Sequence, residues 1–134
     1  MRYCVFTVFL GMMVLVAGCS SNTKVTGKVT FEDGTPLTTG EVRFNSSNFT
    51  ASGKIQSDGT YTMGSLSEKD GVPKGNYKVS VYVVDSPDVK PGADLTKLPP
   101  PKPIIAKEFM SPETSGLECK VDGKTTFDIK VKKP

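Results

Sequence analysis

Apolar and polar residues alternate along much of this chain, in short runs separated by turn residues. Residues 24–31, KVTGKVTF, place Val25, Gly27, Val29 and Phe31 on one face. Residues 41–44 offer Val42 and Phe44, and Ile55 and Ser57 lead into Asp58-Gly59, with Tyr61 and Met63 beyond. The clearest run is 76–84, NYKVSVYVV, in which Tyr77, Val79, Val81 and Val83 face together. Leu117, Cys119 and Val121 precede Asp122-Gly123, and Phe127, Ile129 and Val131 follow. A period of two, punctuated by Gly, Asp and Pro, predicts antiparallel strands. No useful helical period appears after residue 20. About seven strands result if 51–57 and 104–107 are counted.

Parity sharpens the two hairpins, because directly opposed residues share a face. A loop of Asp122-Gly123-Lys124 would pair Cys119 with Phe127 and Leu117 with Ile129. A loop of Asp58-Gly59-Thr60 would pair Ser57 with Tyr61 and Ile55 with Met63. Glycine in each loop is free to take positive φ. Cys119 is then expected in the core beside Phe127, as a small apolar group rather than a reactive thiol. One stretch breaks the pattern. Residues 87–103 hold six prolines in seventeen positions, and proline lacks the N–H that a ladder needs. An extended, polyproline-like surface loop is expected, either a disordered or merely connecting segment or a strap for a partner.

The chain opens differently. Behind Met1-Arg2, residues 5–16 are almost wholly apolar, twelve positions against the roughly 20 that a membrane-spanning helix needs. A cationic head, a short apolar run and small residues before a cut describe a secretory signal. The run ends Val16-Ala17-Gly18-Cys19. That sequence resembles the bacterial lipobox, in which the cysteine sulfur is diacylated and the chain is cut before it. The resemblance implies a signal peptide over 1–18, lipid on Cys19, a tether over 19–23 and a domain over 24–134. Ser20 lacks the aspartate associated with inner-membrane retention, so the expected location is the cell envelope, on the outer membrane.

Composition narrows the chemistry. Cleavage leaves 116 residues, enough for one domain. Cys4 departs with the signal and Cys19 carries lipid, so Cys119 has no disulfide partner. Loss of Arg2 leaves 16 basic against 14 acidic residues, a net charge of +2, scattered rather than striped. Nucleic acid is therefore disfavoured as a partner. The chain has no histidine, which removes Ser-His and Cys-His nucleophile pairs and imidazole metal sites. It has no tryptophan either.

Four segments can be read together: VTGKVTFEDGTPLTTGEVRF from Val25, SDGTYTMGS from Ser57, DGVPKGNYKVSV from Asp70 and AKEFMSPETSGLECKV from Ala106. They resemble bacterial lipoproteins with a carboxypeptidase regulatory-like, or transthyretin-like, domain. The likeness spans roughly residues 24–131. It implies an all-β fold: an antiparallel seven-stranded β-sandwich of prealbumin, Ig-like Greek-key type. It supplies no function, since fold alone does not.

Candidate sites are few. Asp33-Gly34, Asp58-Gly59, Asp70-Gly71 and Asp122-Gly123 match no EF-hand frame, and each is explained as a turn. The acidic pairs Glu32-Asp33 and Glu68-Asp70 fall in solvated turns rather than in a catalytic cleft. Transthyretin-like hydroxyisourate hydrolases use histidines and a C-terminal Tyr-Arg-Gly-Ser, whereas this chain ends Val-Lys-Lys-Pro. An isopeptide joining Lys28 to Asp128 would need both in the core, and both lie on the opposite face from their apolar neighbours. Phe49, in the polar run NSSNFTAS, and Tyr82, opposite Tyr77 and Val79, are the candidate ligand or partner contacts. Tyr82 could instead lie under the proline-rich segment. The sequence thus points to a non-catalytic, lipid-anchored envelope module with no cofactor beyond the lipid on Cys19. Its partners would be the membrane and an envelope protein, or else a glycan held by Phe49 and Tyr82.

Overall fold

Val25, Val29 and Phe31 are buried along the first strand while Lys28 is exposed, as the alternation requires. The structure, a computed structural model, describes residues 21–85 and 89–134. The signal segment 1–18, Cys19 and Pro87 lie outside the described residues. Those residues form β1 (Val25–Phe31), β2 (Glu41–Asn45), β3 (Thr50–Lys54), β4 (Thr60–Thr62) and β5 (Gly75–Tyr82). Then come β6 (Val84–Asp85), β7 (Lys102–Pro103), β8 (Leu117–Val121), β9 (Thr125–Thr126) and β10 (Ile129–Val131). One sheet has β1 between β4 and β10, with β9 also on β1; the other runs β3-β2-β5-β8. β6 and β7 make a separate ribbon. The fold is an all-β sandwich.

Both sheets turn their alternating apolar side chains into one core. Val25, Val29, Tyr61, Ile129 and Val131 come from one, and Val42, Phe44, Val79, Val81 and Val121 from the other. Phe127 crosses between them, its ring edge-on to Phe44 at 6.1 Å. The β2–β5 register sets Phe44 opposite Val79 and Val42 opposite Val81, so the predicted inward faces meet directly.

Several expectations change. Among the described residues the seven expected strands become ten, and the sandwich is not wholly antiparallel, because β9 and β10 pair parallel to β1. Residues 117–131 form no hairpin. β8 joins β5, setting Cys119 opposite Tyr77, and the chain then crosses at 122–124 to the other sheet. Inward parity is the same for a hairpin and for a crossing between facing sheets, so alternation could not separate them. The turn at 58–60 is also displaced. Gln56 N–H donates to the Thr60 carbonyl and Gly59 N–H to that of Gln56, giving a three-residue loop of Ser57-Asp58-Gly59. Gly59 takes φ +85° there, which glycine adopts without strain. Parity survives while the partners shift by two. Residues 104–107 are not a strand: Lys107–Met110 is a 3-10 turn, and Ala106 N–H bonds the Lys132 carbonyl beside β10. Proline at 103 ends the ribbon before a longer ladder can grow.

The proline-rich segment is a surface excursion closed at its base by β6 and β7. It is not one polyproline helix, because Leu95–Lys97 forms a 3-10 turn capped by Asp94. Cys119 is buried as expected, and burial pushes its thiol pKa up. Native protein should therefore react slowly with a thiol reagent and quickly in denaturant. Fast labelling of the folded chain would contradict this placement. Cys119→Ser should cost about 1–3 kcal/mol through a poorly partnered hydroxyl.

Candidate functional site

The two ends of the sandwich are distinguished by chain direction. Thr23 and Val72 exchange backbone hydrogen bonds of 2.7 and 2.9 Å, and β1 and β5 both start within a few residues of that clasp. Each runs away from it. Tyr82 closes β5, about 23 Å beyond Gly75 at roughly 3.3 Å per residue. The ribbon and the proline-rich excursion continue from that far end.

Tyr82 keeps 41 % of its surface, so the excursion does not cover it. The Arg43 guanidinium lies 4.9 Å from the ring centroid, a cation–π arrangement. Strand alternation accounts for it: Arg43 and Tyr82 both point outward, with Glu41 directly opposite Tyr82. Arg43 Nε and Nη2 donate to Glu41 Oε2 at 3.3 and 3.1 Å. Desolvation opposes ionisation of Glu41, but hydrogen bonds from Ser52 and Arg43 outweigh it and hold the carboxyl below its ordinary range. Beyond Glu41 an open groove of about 860 Å³ runs along the side where β3 meets β4. Its lining is polar, including Ser52, Lys54, Gln56, Thr60 and Thr62, with loop 64–69 as the far wall. A second groove of about 730 Å³ lies by Asn45, Asn76, Lys78 and Glu118.

Phe49 is not the exposed aromatic the polar run suggested. It packs on the core, its ring 6.5 Å from that of Tyr77 and nearly perpendicular to it. Ser46 N–H bonds the Phe49 carbonyl, so the 46–49 loop curls and tucks the ring inward. Tyr77 faces inward while Tyr82 faces outward, and five residues of β5 separate them, about 17 Å. The two aromatics therefore make no common site. Sequence reasoning also missed Arg43, although its outward position beside Glu41 was readable from the alternation.

Asp33, Asp58, Asp70 and Asp94 serve turns. Asp33 accepts from Thr35 N–H, Asp58 from Thr60 N–H and Oγ1, and Asp94 from Thr96 N–H and Oγ1. Thr35, with help from Lys133, holds the Asp33 carboxyl down to about 2. Hydrogen bonds to Thr60, Ser65 and Thr96 lower Asp58, Asp70 and Asp94. A carboxyl depressed on folding stabilises above its unfolded value and loses that contribution as pH falls through the folded one. The unfolding midpoint should thus be flat near neutrality and decline from about pH 4 towards about pH 2. A midpoint unchanged down to pH 2 would contradict these turn contacts. Lys28 and Asp128 are both exposed, and it is the Lys28 backbone N–H that bonds the carboxylate, at 2.9 Å.

No protein-family profile matches the chain, and no curated protein matches it significantly. A solved structure with a similar course is the crystal structure of a DUF3823 family protein from Bacteroides ovatus. It has a TM-score of 0.47 and 21 % identity, over 82 % of this chain and 44 % of that one. The present chain thus spans less than half of that protein's length.

Proposed function

We propose that this protein is a lipid-anchored module of the bacterial cell envelope, of the carboxypeptidase regulatory-like kind, working through contact rather than catalysis. Cys19 carries the lipid, 1–18 is its signal peptide, and the outer membrane is its location. The observation that carries the reading is the separation of ends. The N-terminal tether meets the sandwich at the Thr23–Val72 clasp. Tyr82, Val89 and Leu95, three of the four large apolar side chains left exposed among the described residues, belong to the far end and its excursion. An anchored domain that carries three of its four large exposed apolar side chains on the far end and its excursion suits an envelope protein as partner. Asp33, Asp58 and Asp70, three of the carboxylates that acid–base or calcium chemistry would recruit, are hydrogen-bonded into turns, which fits a module without cofactor or catalysis.

The test is crosslinking in living cells from a photoreactive residue at Leu95 or Tyr82, with Lys120 as a control near the tethered end. One dominant protein adduct from the first two and not from the third supports the reading; the same pattern from all three contradicts it. Glycan binding is the second reading, favoured by the Tyr82 ring beside the hydroxyl-lined groove. Phe49 no longer contributes to it. Glycan-array binding lost in Tyr82→Ala would select that reading instead.

A further inference from the structure

A fourth large apolar side chain stands at the tethered end. Leu66 is 92 % exposed at the tip of loop 64–71. The loop is braced, not slack. The Asp70 carboxylate accepts the N–H groups of Ser65, Leu66 and Ser67 and the Ser65 hydroxyl, at 2.5, 3.1, 3.1 and 3.0 Å. Such bracing fixes the loop's shape and leaves Leu66 exposed on the rim of the groove by β3 and β4. The same loop sits against the chain's N-terminal approach, because Asn22 Nδ2 donates to Ser65 Oγ at 3.0 Å and Thr23 is clasped to Val72. From Cys19 to Asn22 there are three residue steps, at most about 10 Å when fully extended. Leu66 neighbours Ser65, so an acylated Cys19 holds this loop at the depth of the lipid headgroups. Exposed Lys24, Lys69 and Lys74 surround the clasp, and Glu68 is the loop's solvent-facing carboxylate, since Asp70 is occupied. An apolar tip ringed by lysines is the pattern of an interfacial membrane contact.

We infer that loop 64–71 is a second membrane contact, with Leu66 inserted at the headgroup–acyl boundary and Lys24, Lys69 and Lys74 against anionic headgroups. This rests on the anchor reading of Cys19. A lipid tether alone lets the domain swing; a second contact beside it sets the sandwich upright, with Tyr82 and the proline-rich excursion facing outward.

The test uses the full-length protein, expressed in cells, purified from membranes and reconstituted in phosphatidylethanolamine–phosphatidylglycerol vesicles. An environment-sensitive fluorophore is placed at Leu66→Cys or, as the far-end control, at Leu95→Cys. Both side chains are exposed, so neither change threatens folding, while Cys119 is buried. The Leu66 probe should shift to the blue and be quenched several-fold more by nitroxide-bearing lipid than the Leu95 probe. Phosphatidylcholine vesicles should weaken that difference. Equal quenching at both positions, or none at Leu66, overturns the inference. If the intact mass still carries acyl chains in that case, the anchor reading survives. If the mass carries none, both fall.

Discussion

Gly27→Ala should cost about 3–5 kcal/mol, a large share of the roughly 5–15 typical of such domains. β9 and β10 hold one offset against β1: Val25 lies opposite Thr125, and Val29 opposite Ile129. They are one parallel strand interrupted at Phe127-Asp128. In an unbroken parallel ladder, Lys28 N–H would donate to the Phe127 carbonyl. Here Lys28 N–H goes to Asp128 Oδ1, and the Phe127 carbonyl accepts the Tyr61 hydroxyl instead. Tyr61 reaches it by crossing Gly27, its direct partner on β1. A Cβ on residue 27 would sit 1.9 Å from the Phe127 oxygen and 2.7 Å from the Tyr61 hydroxyl. Backbone lies on one side and a buried ring on the other, so the strand itself must move. The measurement is the urea midpoint against wild type. Tyr61→Phe, which loses only the hydroxyl and leaves one carbonyl unpaired, should cost less, about 1–3 kcal/mol. A Gly27→Ala midpoint within about 0.5 kcal/mol of wild type would refute this packing.

Phe44→Ala should cost about 3–5 kcal/mol. Phe44 is fully buried on β2, with the Tyr77 ring at 5.7 Å and the Phe127 ring at 6.1 Å. Truncation opens a cavity where the two sheets meet and removes both aromatic contacts. Phe49→Ala, at the half-buried rim of the same cluster, should cost clearly less, about 1–3 kcal/mol. Denaturant titration of both variants checks the order. A Phe49→Ala protein as stable as wild type would return Phe49 to the surface and to the glycan reading.

The inward faces were legible because alternation records burial directly. Val25, Val29, Phe44, Tyr77, Val79 and Cys119 all sit where the pattern placed them. Partnership was not legible. The crossing at 122–124 and the parallel β9 and β10 depend on which edge each strand finds, and a period of two is silent on that. Phe49 misled because its polar neighbours predicted a solvated loop, while the loop's own hydrogen bond turns the ring inward. At the far end, Tyr82 was readable from its outward parity. Its pairing with Arg43 needed only the register of β2 against β5, which no local signal carries.

The central claim is that Cys19 anchors this sandwich by lipid, and the intact mass of protein purified from membranes tests it most directly. Two or more acyl chains, at roughly 0.8 kcal/mol per buried CH₂, hold a domain stably where a single chain does not. A chain beginning at Cys19 and carrying acyl mass is the expected result, with Cys19→Ala lost from the membrane pellet. A wild-type mass that retains residues 1–18 without acyl groups, or a Cys19→Ala protein that partitions as wild type does, would contradict the account.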